Sequence, residues 1–136
     1  MPFFAIMSKM RFIKIFENNK FRAVLEPNPL AAGHTLIFPK KKIDAFFDLS
    51  DLDLKEMIVF AKRTSKAVKR AFPCDKIGVL VYGLKTRHAH IHLVPISGKN
   101  GEFHLLRKRK KASSKELALT AKKIKLYPKY CVRTRE

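Results

Sequence analysis

The stretch that decides the fold reads His88-Ala89-His90-Ile91-His92-Leu93-Val94-Pro95. Histidine alternates with apolar residues, and successive side chains of a β-strand point to opposite faces of a sheet. The alternation therefore predicts a strand over residues 88–94 that the proline ends, with three imidazoles on one face and the apolar side chains in the core. Three of the five histidines of the chain lie here, which favours a functional site over three histidines that only pack.

Four further strands are predicted by short apolar runs that turn-forming residues separate. Residues 11–16 and 21–25 flank Asn18-Asn19 and predict a β-hairpin. Two more strands are predicted over residues 35–38 and 77–82, each followed by a proline or a glycine.

Two helices are predicted from caps and apolar spacing. Ser50 is predicted to be a helix N-cap, and the acidic residues Asp51 and Asp53 follow it in the first turn. Ser113 with Glu116 is predicted to form a capping box for a last helix. The predicted apolar stripe of the first helix is Leu54, Met57, Ile58, Ala61, Ser65, Val68 and Phe72. Together these elements predict a single α+β domain over residues 1–136, with an antiparallel sheet, one long helix and a C-terminal helix.

The composition fits one globular domain in a reducing compartment. The chain has 136 residues, of which 46% are hydrophobic, an ordinary share for a packed domain. Cys74 and Cys131 fit neither a disulfide framework nor a metal-binding spacing. No stretch reaches the length of a bilayer span, and no secretory signal is recognisable. We therefore expect a cytoplasmic protein that does not bind a membrane.

The charge is strongly positive and unevenly distributed. Thirty Lys and Arg against eleven Asp and Glu give a formal net charge of +19. From Lys99 onward, thirteen basic residues and three acidic ones form a basic C-terminal segment. Such a field attracts nucleotides, nucleic acid or an acidic membrane surface. A solvated lysine-rich face is an equally good interpretation of this segment.

Three imidazoles on one sheet face suit two chemistries. His-x-His on a strand can hold a zinc ion, whereas a neutral imidazole can attack phosphorus and form a covalent phosphohistidine. The flanks of the triplet have no carboxylate that would support a metal, while Lys85 and Arg87 favour an anionic ligand. Phosphate chemistry is therefore preferred, and a metal-binding module is the alternative.

Several motifs in the same order resemble the histidine-triad (HIT) family of nucleotide hydrolases and transferases. The triplet followed by two apolar residues is the signature of that family, and the resemblance covers roughly residues 12–124. Residues 14–21 look like its first hairpin, residues 26–29 like its nucleoside loop, and residues 33–40 like its Gly-His-Thr-Leu strand. The resemblance is to small bacterial Hint-like members, and it implies a HIT-like fold of roughly five antiparallel strands and a homodimer.

The resemblance assigns unequal roles to the histidines. The middle histidine is the family's nucleophile, so His90 would attack an α-phosphorus and form a nucleotidyl-histidine intermediate that water hydrolyses. The backbone carbonyl of His88 would fix one ring nitrogen of His90 as a donor. His92 and His88 would orient and stabilise the phosphoryl oxygens. His34 matches the family's fourth histidine, a partner of the triplet, although a structural role has comparable weight.

The resemblance also implies where the nucleotide binds. Glu26 matches the acidic residue that accepts the ribose hydroxyls. Phe16 is the best single choice for a base contact, although it fits the core equally well. Thr86 and Lys85 lie in a loop that lacks the family's Gln and are the expected contacts to phosphate or leaving group.

These inferences predict a HIT-type hydrolase that acts on a purine nucleotide without a cofactor or metal. The substrate would be a nucleoside phosphoramidate or a dinucleoside polyphosphate. A basic nucleic-acid-binding or DNA-end-processing protein is the alternative, in which the C-terminal segment supplies the attraction.

Overall fold

The computed structural model describes residues 12–83, 87–98 and 110–128. The elements in chain order are β1 (Lys14–Glu17), β2 (Phe21–Leu25), β3 (Thr35–Pro39), a 3₁₀ turn (Phe46–Asp48), α1 (Asp51–Ala71), β4 (Lys76–Leu80), β5 (Ile91–Ile96) and α2 (Ser114–Ile124). The strands form one antiparallel sheet in the order β1-β2-β3-β5-β4. The predicted α+β architecture is confirmed.

The first hairpin turns at Asn18, as the sequence predicts. Its Oδ1 accepts hydrogen bonds from the backbone N–H groups of Lys20, at 2.8 Å, and of Phe21, at 2.7 Å. The Asn18 N–H donates to the Phe21 carbonyl at 3.0 Å. The asparagine side chain thus supplies the hydrogen bonds that close the turn.

A β-bulge interrupts the pairing of β1 with β2. Lys14 faces Val24, whereas Phe16 faces the very next residue of β2, Ala23. The extra residue in β1 reverses the alternation of side chains at this point. Ile15 and Phe16 both pack against the helix-side core as a result.

β5 lies between β3 and β4, so the histidine stretch is at an interior position of the sheet. Strand pairing begins at Ile91 rather than at His88, and it continues through Pro95 to Ile96. The predicted strand bounds are therefore wrong at both ends. Pro95 lies beyond Leu93, the last residue of β5 paired with β3, where β5 has one neighbour and a proline is tolerated.

α1 begins where the sequence predicts, because Ser50 Oγ accepts a hydrogen bond from the Asp53 N–H at 3.1 Å. The predicted stripe is wrong at Ile58, which is 51% exposed. The buried residues of α1 are Met57, Phe60, Ala61, Thr64, Ala67, Val68 and Ala71. Phe60, Thr64, Ala67 and Ala71 are buried although the predicted stripe omits them, because packing against the sheet decides which face of the helix is buried.

The predicted capping box of α2 is confirmed. Ser113 Oγ accepts from the Glu116 N–H at 3.1 Å, and the Glu116 carboxylate accepts from the Ser113 N–H at 3.3 Å. α2 buries Ala121 and Ile124 in a cluster with residues of α1, β1 and β2. Within the described ranges, no helix combines the length and apolar composition that crossing a bilayer would need.

The hydrophobic core fills the space between the helices and one face of the sheet. Ala89, Ile91 and Leu93, which alternate with the histidines, are buried in it as predicted. Leu36 and Phe38 of β3 belong to a separate cluster with Val24. Because Leu36 and Phe38 alternate with the core residue Ile37, this second cluster and the histidine side chains lie on the sheet face away from the helices.

Apolar side chains remain exposed on α1 and on the edge strand β4. Among them are Ile58 and Val59 of α1 and Val79 of β4. The family's homodimer is expected to join the long helix and a strand of each subunit. These exposed side chains are suited to such an interface, and the homodimer stays a prediction.

The packing of the core can be tested by making the same substitution, Phe to Ala, at one buried and one exposed position. Phe60 is 6% exposed and contacts the Phe21 ring, with a centroid distance of 5.9 Å, whereas Phe47 is 84% exposed. Phe60→Ala should lower the free energy of unfolding by about 3–5 kcal/mol, because it leaves a cavity. Phe47→Ala should change it by about 0.5 kcal/mol or less. Urea denaturation measures both, and equal losses would contradict the described packing of α1.

Candidate active site

His90 and His92 lie side by side on the sheet face away from the helices. His92 is in β5, paired with Leu36 of β3 and Leu80 of β4, and His90 immediately precedes the strand. Their ring centroids are 4.8 Å apart, and both residues are buried. The structure thus brings these two members of the triplet together, as the alternation predicts.

The backbone carbonyl of His88 determines the tautomer of His90. His90 Nδ1 lies 2.7 Å from the His88 oxygen, and a carbonyl only accepts, so Nδ1 carries the proton and Nε2 carries the lone pair. Burial lowers the pKa of His90 below its ordinary value of 6.5, although the hydrogen bond to His88 opposes this shift. A neutral imidazole that carries its lone pair on Nε2 is the form that a nucleophile requires.

A backbone N–H determines the tautomers of the other two rings. The Leu30 N–H lies 3.0 Å from His34 Nδ1 and only donates, so His34 carries its proton on Nε2. His34 Nε2 is 2.9 Å from His92 Nδ1 and donates to it. His92 therefore carries its proton on Nε2, which lies 3.1 Å from His90 Nε2.

The rings form one hydrogen-bonded chain with a single direction. It runs from the Leu30 N–H through His34, His92 and His90 to the His88 carbonyl, over four links. Each ring holds one proton, and each link contains one N–H donor. A further proton would place two donors against each other at one link and break it. The arrangement therefore favours three neutral rings.

The His88 side chain is anchored at the end of β3. Its Nε2 donates to the Pro39 carbonyl at 2.8 Å, and the Phe38 ring contacts it edge-on with centroids 5.9 Å apart. Burial lowers the pKa of His88. The phosphate contact expected of the His88 ring stays a prediction, whereas the backbone carbonyl of His88 orients His90.

Glu26 and His34 lie at the two ends of the loop between β2 and β3. The Glu26 N–H donates to the His34 carbonyl at 3.0 Å and closes the loop. Gly33 has a φ of +93°, and a Cβ there would lie 3.0 Å from the Phe72 ring, so the close approach to α1 requires glycine. Both side chains line a cleft of about 370 Å³ whose opposite wall is the start of α2.

Glu26, His34 and His92 each have one possible metal-ligand atom within 4.8 Å of the others. A carboxylate and two imidazoles form a ligand set that zinc accepts. Zinc–nitrogen bonds of about 2.1 Å at tetrahedral angles would separate the two nitrogens by roughly 3.4 Å. His34 Nε2 and His92 Nδ1 are 2.9 Å apart, a spacing that fits their hydrogen bond better than a shared ion.

Tyr82 is a residue of the site that sequence reasoning missed. Its ring stacks on His92, with centroids 4.7 Å apart and planes 4° from parallel, and it meets His90 edge-on at 6.4 Å. Tyr82 is 41% exposed and covers one face of the buried His92 ring. The available signal is alternation, because Leu80 pairs with His92 and Tyr82 is two residues further along.

Phe16 does not lie at the candidate site. It packs against the core clusters on the helix side of the sheet, so its expected base contact is corrected to a core position. Phe12 instead packs with Val24 and Leu36 on the histidine face. The bulge in β1 explains the exchange, since it reverses the alternation between these two phenylalanines.

The loop before the triplet lies partly outside the described residues. Lys85 and Thr86, the expected contacts to phosphate or leaving group, are both outside them. Arg87 is described, is 76% exposed and lies 3.6 Å from the Asp44 carboxylate. The Arg87 guanidinium is therefore at the surface, next to Asp44, and is not among the buried rings.

Comparison of the sequence and comparison of the structure with known proteins both find HIT proteins. The HIT domain model matches residues 9–99. Adenosine 5'-monophosphoramidase HNT1 of Saccharomyces cerevisiae is 33% identical over 95 residues, covering 66% of this chain and 58% of the yeast protein. AP-4-A phosphorylase of Mycobacterium tuberculosis is 26% identical over 87 residues, covering 60% and 45%.

The fold has a solved counterpart. A hypothetical histidine triad nucleotide-binding protein of Sulfolobus tokodaii superposes with a TM-score of 0.79 at 26% identity, over 91% of this chain and 88% of the other. The chain spans between 45% and 71% of the length of the curated relatives it matches. With the match over more than half of its residues, the chain belongs to the HIT domain family.

Proposed function

We propose that this chain is a nucleotide hydrolase or transferase in which His90 Nε2 attacks the α-phosphorus of a purine nucleotide derivative. The hydrogen bond from His90 Nδ1–H to the His88 carbonyl, at 2.7 Å, carries the proposal. It leaves the lone pair on Nε2, on the face of the sheet that the helices do not cover. The monophosphoramidase activity in the name of the yeast relative supports the same reaction class.

The reaction divides into two displacements at phosphorus. The Nε2–P bond forms as the bond from phosphorus to the leaving group breaks, and the departing amine or phosphate takes its proton from water. Water then attacks the nucleotidyl-histidine and loses a proton to solvent, the Nε2–P bond breaks, and His90 returns to its neutral form. His92 Nε2–H, only 3.1 Å from the attacking nitrogen, is suited to donate to a phosphoryl oxygen as charge develops there.

Substrate binding would exchange one hydrogen bond for another. In the structure, His92 Nε2–H donates to His90 Nε2 and occupies its lone pair. A phosphoryl oxygen between the two rings would accept the same proton and release the lone pair for attack. His34, which donates to His92 Nδ1 at 2.9 Å, keeps that proton on Nε2.

Glu26 is the proposed ribose ligand. A carboxylate can accept hydrogen bonds from both sugar hydroxyls, and Glu26 lines the cleft beside His34. The cleft volume of about 370 Å³ is within the range of small-molecule sites. A nucleoside bound there would have its sugar at the carboxylate and its phosphate toward His34, which lines the cleft and donates to His92.

His90→Ala should abolish the covalent intermediate and lower kcat by at least roughly a thousandfold, because no other lone pair replaces Nε2. Intact-mass measurement after mixing with adenosine 5'-phosphoramidate should find a nucleotidyl adduct on the wild type only. Circular dichroism of the variant serves as the folding control. An adduct that persists in His90→Ala would refute the nucleophile, and turnover without any wild-type adduct would indicate direct attack by water.

Glu26→Gln should raise KM about tenfold or more for the ribonucleotide substrate, since a charged hydrogen bond contributes about 1.5–3 kcal/mol. The 2',3'-dideoxy substrate should be insensitive to the change because it lacks both hydroxyls. Glu116→Gln is the matched control, because Glu116 lines the opposite wall of the same cleft and Gln preserves a capping box. An equal effect on both substrates would contradict the ribose contact.

The acid limb of kcat/KM should lie below pH 6.5. Burial lowers the pKa of His90, protonation removes the attacking lone pair, and activity is therefore lost only as the pH falls through this lowered pKa. The pH profile of kcat/KM, which reports groups of the free enzyme, measures it. A limb centred above pH 6.5 would show that another group controls the reaction.

A further inference from the structure

The second half of α1 and the region of α2 are rich in exposed Lys and Arg and poor in Asp and Glu. Residues 62–71 of α1 contain five Lys or Arg and no Asp or Glu, and residues 110–128 contain six Lys and one Glu. All three acids of α1 precede residue 57. We define the basic surface by its exposed members Lys62, Lys66, Lys69, Arg70, Lys122 and Lys123.

The cations of α1 form one stripe. Lys62, Lys66, Lys69 and Arg70 follow the spacing i, i+4, i+7 and i+8, which places them on one side of a helix. From Lys62 to Arg70 the stripe is about 12 Å long, at about 1.5 Å per residue. A duplex carries one negative charge per about 1.7 Å of its axis. The stripe therefore faces the charge of roughly seven phosphates.

Two reciprocal contacts join the cations of α1 to those of α2. The Arg70 guanidinium of α1 lies 5.9 Å from the centre of the Tyr127 ring, which follows α2. Lys123 Nζ of α2 lies 4.9 Å from the centre of the Phe72 ring, which follows α1. Beneath them, α1 and α2 share one buried cluster. The basic surface is thus held together by packing as well as by proximity in sequence.

Ion pairs lie elsewhere. Among the described residues, the cations of ion pairs are Lys14, Lys20, Arg22, Lys40 and Arg87, and none belongs to the basic surface. Lys69 Nζ contacts a neutral backbone carbonyl, that of Asp75, at 3.5 Å. The exposed charges of the basic surface therefore have no acidic partner among the described residues.

We propose that the basic surface binds the phosphate backbone of double-stranded nucleic acid without reading its sequence. A polyanion matches a row of cations that protein acids do not neutralise. An anionic membrane would also favour an apolar helix face to insert, and residues 62–71 of α1, which carry the stripe, expose no large apolar side chain. The surface lies on the helix side of the sheet, so a bound duplex leaves the histidine face open.

The test compares two triple variants with the same change of charge. K62Q/K66Q/K69Q removes three cations of the stripe, and K14Q/K41Q/K76Q removes three from outside it. Fluorescence anisotropy of a labelled duplex of about 20 base pairs, between about 50 and 200 mM salt, gives the slope of log K against log salt. The stripe variant should reduce that slope by about 2.7, at about 0.9 per phosphate contact, while the control keeps the wild-type slope.

Three results would overturn the proposal. They are equal losses in both variants, no salt-dependent binding of the wild type, and tighter binding to phosphatidylserine vesicles than to the duplex. Gln is a good helix former, and circular dichroism confirms that both variants are folded. His90→Ala should bind the duplex as the wild type does. The binding result can therefore be interpreted even if the proposed catalytic function is wrong.

Discussion

The candidate site depends on one hydrogen bond, from His90 Nδ1–H to the backbone carbonyl of His88 at 2.7 Å. Because the acceptor is part of the chain, it cannot change its role or leave. The Leu30 N–H is an equally permanent donor at the other end, 3.0 Å from His34. Between two ends of opposite character, each ring has one tautomer that satisfies every link. Backbone geometry thus determines the protonation pattern of three side chains.

The fold brings those two ends together from distant parts of the sequence. Leu30 lies in the loop after β2, His34 directly precedes β3, and His92 lies in β5, which pairs with β3. Gly33 allows the loop to pass against the end of α1, where a Cβ would lie 3.0 Å from Phe72. A change in the loop conformation, in the strand register or in the position of the helix would each break one hydrogen bond between the rings. The geometry of the site therefore depends on the whole fold.

What could be predicted from the sequence was local. Alternation placed Ala89, Ile91 and Leu93 in the core, and the capping box of Ser113 appears as expected. The exchange of Phe16 for Phe12 could not be predicted, because the bulge in β1 is set by pairing with β2. The stacking of Tyr82 on His92 likewise depends on the register of β4 against β5. These features arise from contacts between strands, which no single segment encodes.

The positive charge of the chain and the neutral site are physically linked. A protein of formal charge +19 draws anions toward itself, and the same field disfavours adding a proton to an imidazole within it. Lys42 acts in this way, since its charge reinforces the lowering of the His88 pKa by burial. Positively charged rings would attract phosphate more strongly but would have no lone pair with which to attack. Surface cations therefore attract the anion, while the buried rings stay neutral and keep the lone pair that attacks phosphorus. One small domain can combine both properties because different residues supply them.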